Sequence, residues 1–577
     1  MNGGNSKAGK GAEFSGWIRF GWRWMVLVGL LLRASAAPPT LEHFYPVVSA
    51  RCTTNRIAAV GKFEPWPPQF WVAGQGVTLT ATTNKPTVEI VVGADAELGP
   101  RLVRAFNDEG ASAPRFLVIT DTPALAETEP NDERAQAQTV TNLPVWVNGR
   151  LDKNGDVDQF AVELAAGQTL VASLQAYVLQ SPVDAALRLS DPRSVAVRFN
   201  HDDGRTLDPG LVFTAERPGR HTLQVFGFAH PAGSDVRFTG NDKCVYRLHL
   251  ATGPVVAHTV PLGAQRNASN AWSLVGWNLP PSTKNVTARV PDGPADVSWW
   301  QPEWAGYQAV PRLPLGMGPE LVERESLAEG AAAQELPVPG AVTGRIDPAG
   351  DVDRYSFLAR KDERLVVSVQ AAALGFPLDA WLAIENTEGK ELARNDDADS
   401  ADPRIEWTAP AEGRFVLAVG NLLRRGGPDH FYRLSVEPGF PDFRPTVDAA
   451  AFTLTAGTTN EIKVALARRH GHKGKLTLRT EGLPPAVETG PVEVAEAATE
   501  AVLRWSAPTN APRFNGPVRA VVAGDGRERA VVFALASTGE NNGVPQGYTD
   551  LLIRETDSLW LTVLPPKPSE SKPDEKK

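Results

Sequence analysis

Two short segments bring together six side chains with hard oxygen donors: Glu127, Glu129, Asn131 and Asp132, then Asp156 and Asp158. On an extended chain Glu127, Glu129 and Asn131 point to one side, because strand side chains alternate, and Asp132 adjoins them. The loop at Gly155 could fold over and add Asp156 and Asp158. Such a set suits Ca2+, which takes roughly 6–8 oxygen ligands from carboxylates, amide oxygens and water. The sequence therefore predicts a calcium site. The same residues would also make a solvated acidic linker held by Asx turns.

A second polar set, Asp184, Asn200, Asp202 and Asp208, returns later as Asp379, Asn395, Asp397 and Asp402. Short polar side chains at strand ends are expected to satisfy backbone N–H groups in turns rather than hold metal. Four aromatic residues, Trp299, Trp300, Trp304 and Tyr307, are dense for one loop. They form either a ligand or partner surface or packing between neighbouring domains, and Phe63, Trp66 and Trp71 carry the same ambiguity. No His-Glu-x-x-His, Gly-x-Ser-x-Gly, phosphate-binding Gly loop or Cys-x-x-Cys occurs. His470 and His472 are two ligands without a third, which is no zinc site. The expectation is a non-enzyme. Paired carboxylates for glycoside hydrolysis depend on distance in space, so a cryptic hydrolase is the last alternative.

These residues sit in a duplication. Gly149 and Gly344, Asp156 and Asp351, Asp158 and Asp353, Asp184 and Asp379, and Asn200 and Asn395 all stand 195 positions apart. Each copy closes on Gly-Arg-(His/Phe)-x-Leu and then Tyr-Arg-Leu. The second copy keeps Glu323, Glu325, Asp351 and Asp353 but has Leu327 and Ala328 opposite Asn131 and Asp132. Any calcium there should be weaker. A shorter repeat precedes each copy: His43, Pro46, Arg51, Asn55, Val60 and Gly61 match His258, Pro261, Arg266, Asn270, Val275 and Gly276, all 215 apart.

The ordered motifs Glu-x-Glu-Pro-Asn-Asp, Gly-Asp-Val-Asp-x-Phe/Tyr, Val/Leu-Asp-Ala and Asn-(His/Asp)-Asp resemble the bacterial pre-peptidase C-terminal (PPC) domain. The resemblance covers 123–253 and 319–438. It implies a small, jelly-roll-like β-sandwich attached to secreted enzymes or surface proteins, and calcium on the Glu127–Asp132 segment and the aspartate loop. Relatives can carry an Asp where this chain has Gly155, so that ligand is missing. The shorter units resemble immunoglobulin-like (IPT/TIG-type) modules.

The fold class expected is all-β, a multidomain series of tandem β-sandwiches. The 51 Gly and 48 Pro punctuate short Val/Thr/Leu runs, the pattern of such folds. The domains run 1–36 (signal peptide), 40–122 (Ig-like), 123–253 (PPC-like), 254–318 (short Ig-like), 319–438 (PPC-like), 439–565 (Ig-like sandwich) and 566–577 (disordered tail). The leader is read from basic residues before the apolar run Met25–Leu32, with Ala34-Ser-Ala36 as cleavage site. That run is too short to span a membrane, so the mature chain is expected to be exported, to periplasm, cell surface or medium, without a transmembrane helix. A net charge of −9 argues against a nucleic-acid surface. Cys52 and Cys244, opposite Asn267 and His430 in the repeats, form either an inter-domain disulfide or two separate thiols. The function expected is binding or scaffolding of a protein or polysaccharide of the envelope or extracellular matrix. The alternative is an accessory or targeting subunit of a secreted peptidase.

Overall fold

Alternation of apolar and polar residues builds the strands. In Thr459–Arg469, Ile462, Val464 and Leu466 are buried while Glu461, Lys463 and Ala465 face water. The computed structural model describes residues 37–202, 206–230, 237–291, 298–324, 333–398, 401–535 and 551–566. The leader 1–36, Glu325, Leu327, Ala328 and the tail from 567 lie outside the described residues. Within them the regular structure is strand, interrupted by three single-turn 3-10 helices, and no helix is long and apolar enough to cross a membrane. The chain is all-β.

Strands contiguous in the chain pair with one another. Thr40–Thr120 forms two sheets over a core of Phe44, Ile57, Ile90, Val103 and Leu117. Ala124–Ala251 forms two five-stranded sheets around Phe160, Leu187, Leu223 and Leu248. Glu320–Pro438 repeats that strand order, down to the parallel pairing of Ala124–Ala126 on Val145–Arg150 and of Glu320–Val322 on Gly340–Arg345. Between these two large sandwiches, Val255–Gly316 makes two three-stranded sheets. Asp442–Leu564 makes the last pair of sheets.

The shorter repeat also persists in the backbone. Both first strands shift register at the matched histidine, between Leu41 and His43 and between Val256 and His258. A Cβ at Gly61 or Gly276 would lie 2.0 Å from the carbonyl oxygen of Thr40 or Val255, so only glycine admits this approach.

The last sheets pack back on the first ones. The indole of Trp560 lies 5.9 Å from Trp71 and 5.2 Å from Phe106. Buried Arg104 donates to the carbonyls of Ser112 (2.8 Å) and Ala450 (3.2 Å). The large sandwiches dock on the units before them in one way: Asn148 Oδ1 accepts from the amides of Val47 (3.0 Å) and Val48 (2.8 Å), and Thr343 Oγ1 accepts from Leu262 N (2.8 Å). His470 joins the second large sandwich to the last sheets, its Nδ1 2.7 Å from Phe440 O and its Nε2 2.9 Å from Arg404. His472 is buried against Asp525 (3.0 Å).

The disulfide alternative is corrected. Cys52 and Cys244 are both free thiols. Cys52 occupies a left-handed turn position (φ 58°) on the surface, as does its counterpart Asn267 (φ 55°). Cys244 is fully buried in the core of the first large sandwich. A bridge needs the two Cα atoms within ~7 Å with their side chains converging, and these side chains lie in different surroundings.

Candidate metal centre

Glu127 follows the edge strand Ala124–Ala126, and its amide bonds to Asn148 O (2.9 Å). That pairing aims the carboxylate at the start of Asp158–Leu164. Glu127 Oε1 accepts from Tyr45 Oη (2.8 Å) and from Arg150 N (2.7 Å). Asp158 Oδ2 accepts from Tyr246 Oη (2.5 Å), which also reaches Glu127 Oε2 at 3.4 Å. The Tyr246 ring packs against Gly149, where a Cβ would come within 2.0 Å of Cζ. Glu127, Glu129 and Asp158 each offer an oxygen within 4.8 Å of the others.

Asp132 and Asp156 form the second half. Asp132 Oδ2 accepts from Lys153 Nζ (2.9 Å), which stands 3.8 Å from Asp156. Asp156 Oδ2 accepts from the Asp152 amide. Asn131, whose own amide bonds Glu129 Oε2 (2.9 Å), is wholly buried. Of the six expected ligands, three converge tightly, two pair around Lys153, and Asn131 is enclosed beside them. Glu129 is exposed.

The electrostatics are those of crowded acids. Burial, then the neighbouring carboxylates, push Asp158 well above the usual carboxylate range. Burial first raises Glu127 to about 7 and Asp156 to about 6. Asp132 moves down, through its hydrogen bonds to Asp156 and Lys153. Four oxygens here, one each on Asn131, Asp132, Asp156 and Asp158, are buried and accept from no N–H or hydroxyl, the carboxylates facing one another instead. Buried polar groups are ordinarily paired, and each unpaired one costs about 1–3 kcal/mol, more when charged. A hard, oxygen-seeking cation fits that donor set.

Among the described residues of the second repeat, Glu323, Asp351 and Asp353 carry no orphaned oxygen. Tyr355 Oη donates to Glu323 Oε1 (2.7 Å), Tyr432 Oη donates to Asp353 Oδ2 (2.6 Å), and the two hydroxyls lie 2.7 Å apart. Tyr355 stands where the first copy has Phe160. There the hydroxyl on Glu127 comes instead from Tyr45, whose counterpart is Val260. Tyr45 and Tyr246 were not singled out in the sequence. The reciprocal exchange Tyr45/Phe160 for Val260/Tyr355 is the signal that could have found Tyr45.

The other candidates separate. Asp208 accepts from the amides of Ala176 (2.8 Å), Tyr177 (2.7 Å) and Val178 (3.1 Å), and Asp402 likewise holds Ala371, Ala372 and Ala373. These are turn-satisfying residues, as expected. Asp184 lies 3.2 Å from His201, which lies 3.6 Å from Asp202. Trp300 and Trp304 pack on buried Trp272, at 5.7 and 5.4 Å, inside their own small unit rather than against a neighbouring one. Trp299 lies under Arg312 at 5.9 Å, and Tyr307 N bonds Trp304 O (3.2 Å). Phe63 belongs to the core of the first unit with Trp66 on its edge, while Trp71 meets Trp560.

No family model matches the chain. A stretch of 82 residues is 37% identical to a probable subtilase-type serine protease of Deinococcus radiodurans, covering 14% of this chain and 11% of that protein. The chain thus spans about a tenth of that relative's length. Among solved structures, the pre-peptidase C-terminal domain of a Bacillus anthracis collagenase matches over 98% of its length and 19% of this chain, at 16% identity and a TM-score of 0.16. Fibronectin(III)-like modules of Clostridium thermocellum CbhA match over 97% of theirs and 43% of this chain, at 10% identity and a TM-score of 0.13. At those TM-scores the likenesses carry no argument, and the fold class rests on the strand pairing above.

Proposed function

We propose that this chain is an exported, non-catalytic binding or scaffolding protein whose first large sandwich is stabilised by calcium. The observation that carries the calcium reading is the contrast between two sandwiches of one strand order. The second caps Glu323 and Asp353 with a tyrosine pair, while the first leaves four buried oxygens that accept from no N–H or hydroxyl. Glu127, Glu129, Asn131, Asp132, Asp156 and Asp158 would hold the ion, and Lys153, exposed on a flexible stem, would swing away. Calcium would supply charge neutralisation that locks the Glu127–Asp132 segment over the sandwich. Affinity capture from the native host's envelope, with calcium or with EDTA, tests the reading. A defined envelope protein or polysaccharide retained only with calcium supports it; the same capture in both buffers removes the role of the ion.

A second reading makes the chain an accessory or targeting subunit of a secreted peptidase. Its support is the 82-residue likeness to a subtilase-type protease. Co-purification of a peptidase whose activity or location depends on this chain favours it, and a captured set without one favours scaffolding.

A further inference from the structure

Two rows of outward side chains line a polar groove of about 340 Å3 on the first large sandwich. Gln159 pairs across the strands with Gln224, Gln224 with Arg188, and Thr222 with Ser190. Their neighbours Phe160, Leu187, Leu189, Leu223 and Val225 point into the core, so the polar row is the outer face of the sheet. Arg134 reaches over this face, donating to the carbonyls of Asp191 (3.0 Å) and Pro192 (3.2 Å).

Two features mark this as a site rather than an ordinary wet sheet. Thr222 is 1% exposed, yet its hydroxyl has no hydrogen-bond partner. Arg188 donates from Nε to Gln224 Oε1 (2.5 Å) and stacks over Phe226 at 5.7 Å, which fixes the guanidinium plane. In the second sandwich the matching positions are Arg354, Ala383, Glu385, Val416 and Ala418, with Arg354 and Glu385 paired at 3.7 Å. The fold does not need this polar set, since the described strands of its copy form without it.

We infer that the groove binds an acidic saccharide, a uronic-acid unit, with Arg188 taking the carboxylate. The lining guanidiniums, Arg134 and Arg188, outnumber the single carboxylate, Glu133. A planar guanidinium matches a carboxylate with two parallel hydrogen bonds. Amides and hydroxyls, each able to donate and accept, match a ring of hydroxyl groups. Ala196 is the one apolar residue of the lining, so directional recognition there falls to polar groups. The volume is at the small end of the ~300–1,000 Å3 typical of ligand sites. The inference rests on reading the chain as a binding protein and names its ligand class; it does not rest on calcium.

The test is titration calorimetry and saturation-transfer NMR on the full exported chain in calcium buffer. The probes are D-glucuronate, D-galacturonate and oligogalacturonate, with D-glucose and acetate as controls. Uronates should bind at least tenfold more tightly than either control. Arg188→Gln should weaken them at least tenfold without moving the melting temperature. Ser190→Glu, which installs the second copy's carboxylate, should abolish binding by repulsion. Uronates that fail to bind, glucose or acetate binding as tightly, or Arg188→Gln and Ser190→Glu variants that bind like the parent overturn the inference. A chain that melts higher in calcium yet ignores uronates loses this inference alone.

Discussion

Stripping calcium should leave the first large sandwich with acids that resist ionisation, and its stability should then fall as pH rises. Glu127 moves from 4.5 to about 7 and Asp156 from 3.8 to about 6, burial being the main cause for both. The groups facing Glu127 are Tyr45, Tyr246, Arg150, Asp158 and Glu129. A carboxylate whose folded pKa lies above its unfolded one holds its proton more tightly when folded. The contribution of these acids to metal-free stability is therefore greatest below the unfolded values and declines from about pH 4 to about pH 7, against the opposite trend of His43 and His249, which burial lowers to about 3 and about 4. Glu127 alone accounts for about 3 kcal/mol of that decline. Asp132, shifted down, acts oppositely and only below its ordinary 3.8. Calcium at a hundredfold its Kd should return about 2.7 kcal/mol at pH 7.5. That is a rise of about 10 °C if this sandwich melts alone, or about 2–3 °C if it melts with the whole chain. At pH 5, protons compete and the calcium shift should nearly vanish. Asp158→Asn should abolish the shift while raising metal-free stability at neutral pH, because a neutral amide can still accept from Tyr246. Calorimetric melts of the full chain, with calcium or EDTA across this range, are the assay. A parent chain that loses no more metal-free stability than Glu127→Gln between about pH 4.5 and 7, or an equal calcium shift at pH 5 and 7.5, refutes the reasoning.

Glu320→Ala should destabilise the second large sandwich by about 3–5 kcal/mol in urea unfolding, since it leaves Arg433 buried without its bidentate partner. Trp272→Ala should cost about 3–5 kcal/mol by removing the centre of a small core, whereas Trp299→Ala, on a half-exposed ring, should cost less than about 1 kcal/mol. A thiol reagent should label Cys52 in the native chain. Cys244, buried with its thiol pushed up to about 11, should react only after unfolding, and mass mapping of the labelled peptides checks both.

The all-β class, the two large repeats and the two shorter ones before them were legible in the chain. Period-2 alternation and turn residues act locally, and a duplication keeps its spacing whatever the tertiary packing. The acidic segment was legible too, because its donors lie close in sequence. Which of them converge was not: Glu127 meets Asp158 only through the pairing of an edge strand with Val145–Arg150, and Tyr45 arrives from the preceding unit through a docking contact at Asn148. The packing of Trp300 and Trp304 was not legible, because density along a loop says nothing about Trp272, which reaches it from a different strand. The closure of the last sheets on the first, through Trp560 and Arg104, has no sequence signal, since it joins residues 346 to 489 positions apart by shape and burial alone. Local periodicity and repetition decide what the pieces are; long-range packing decides which acids share a site and which aromatics merely fill a core.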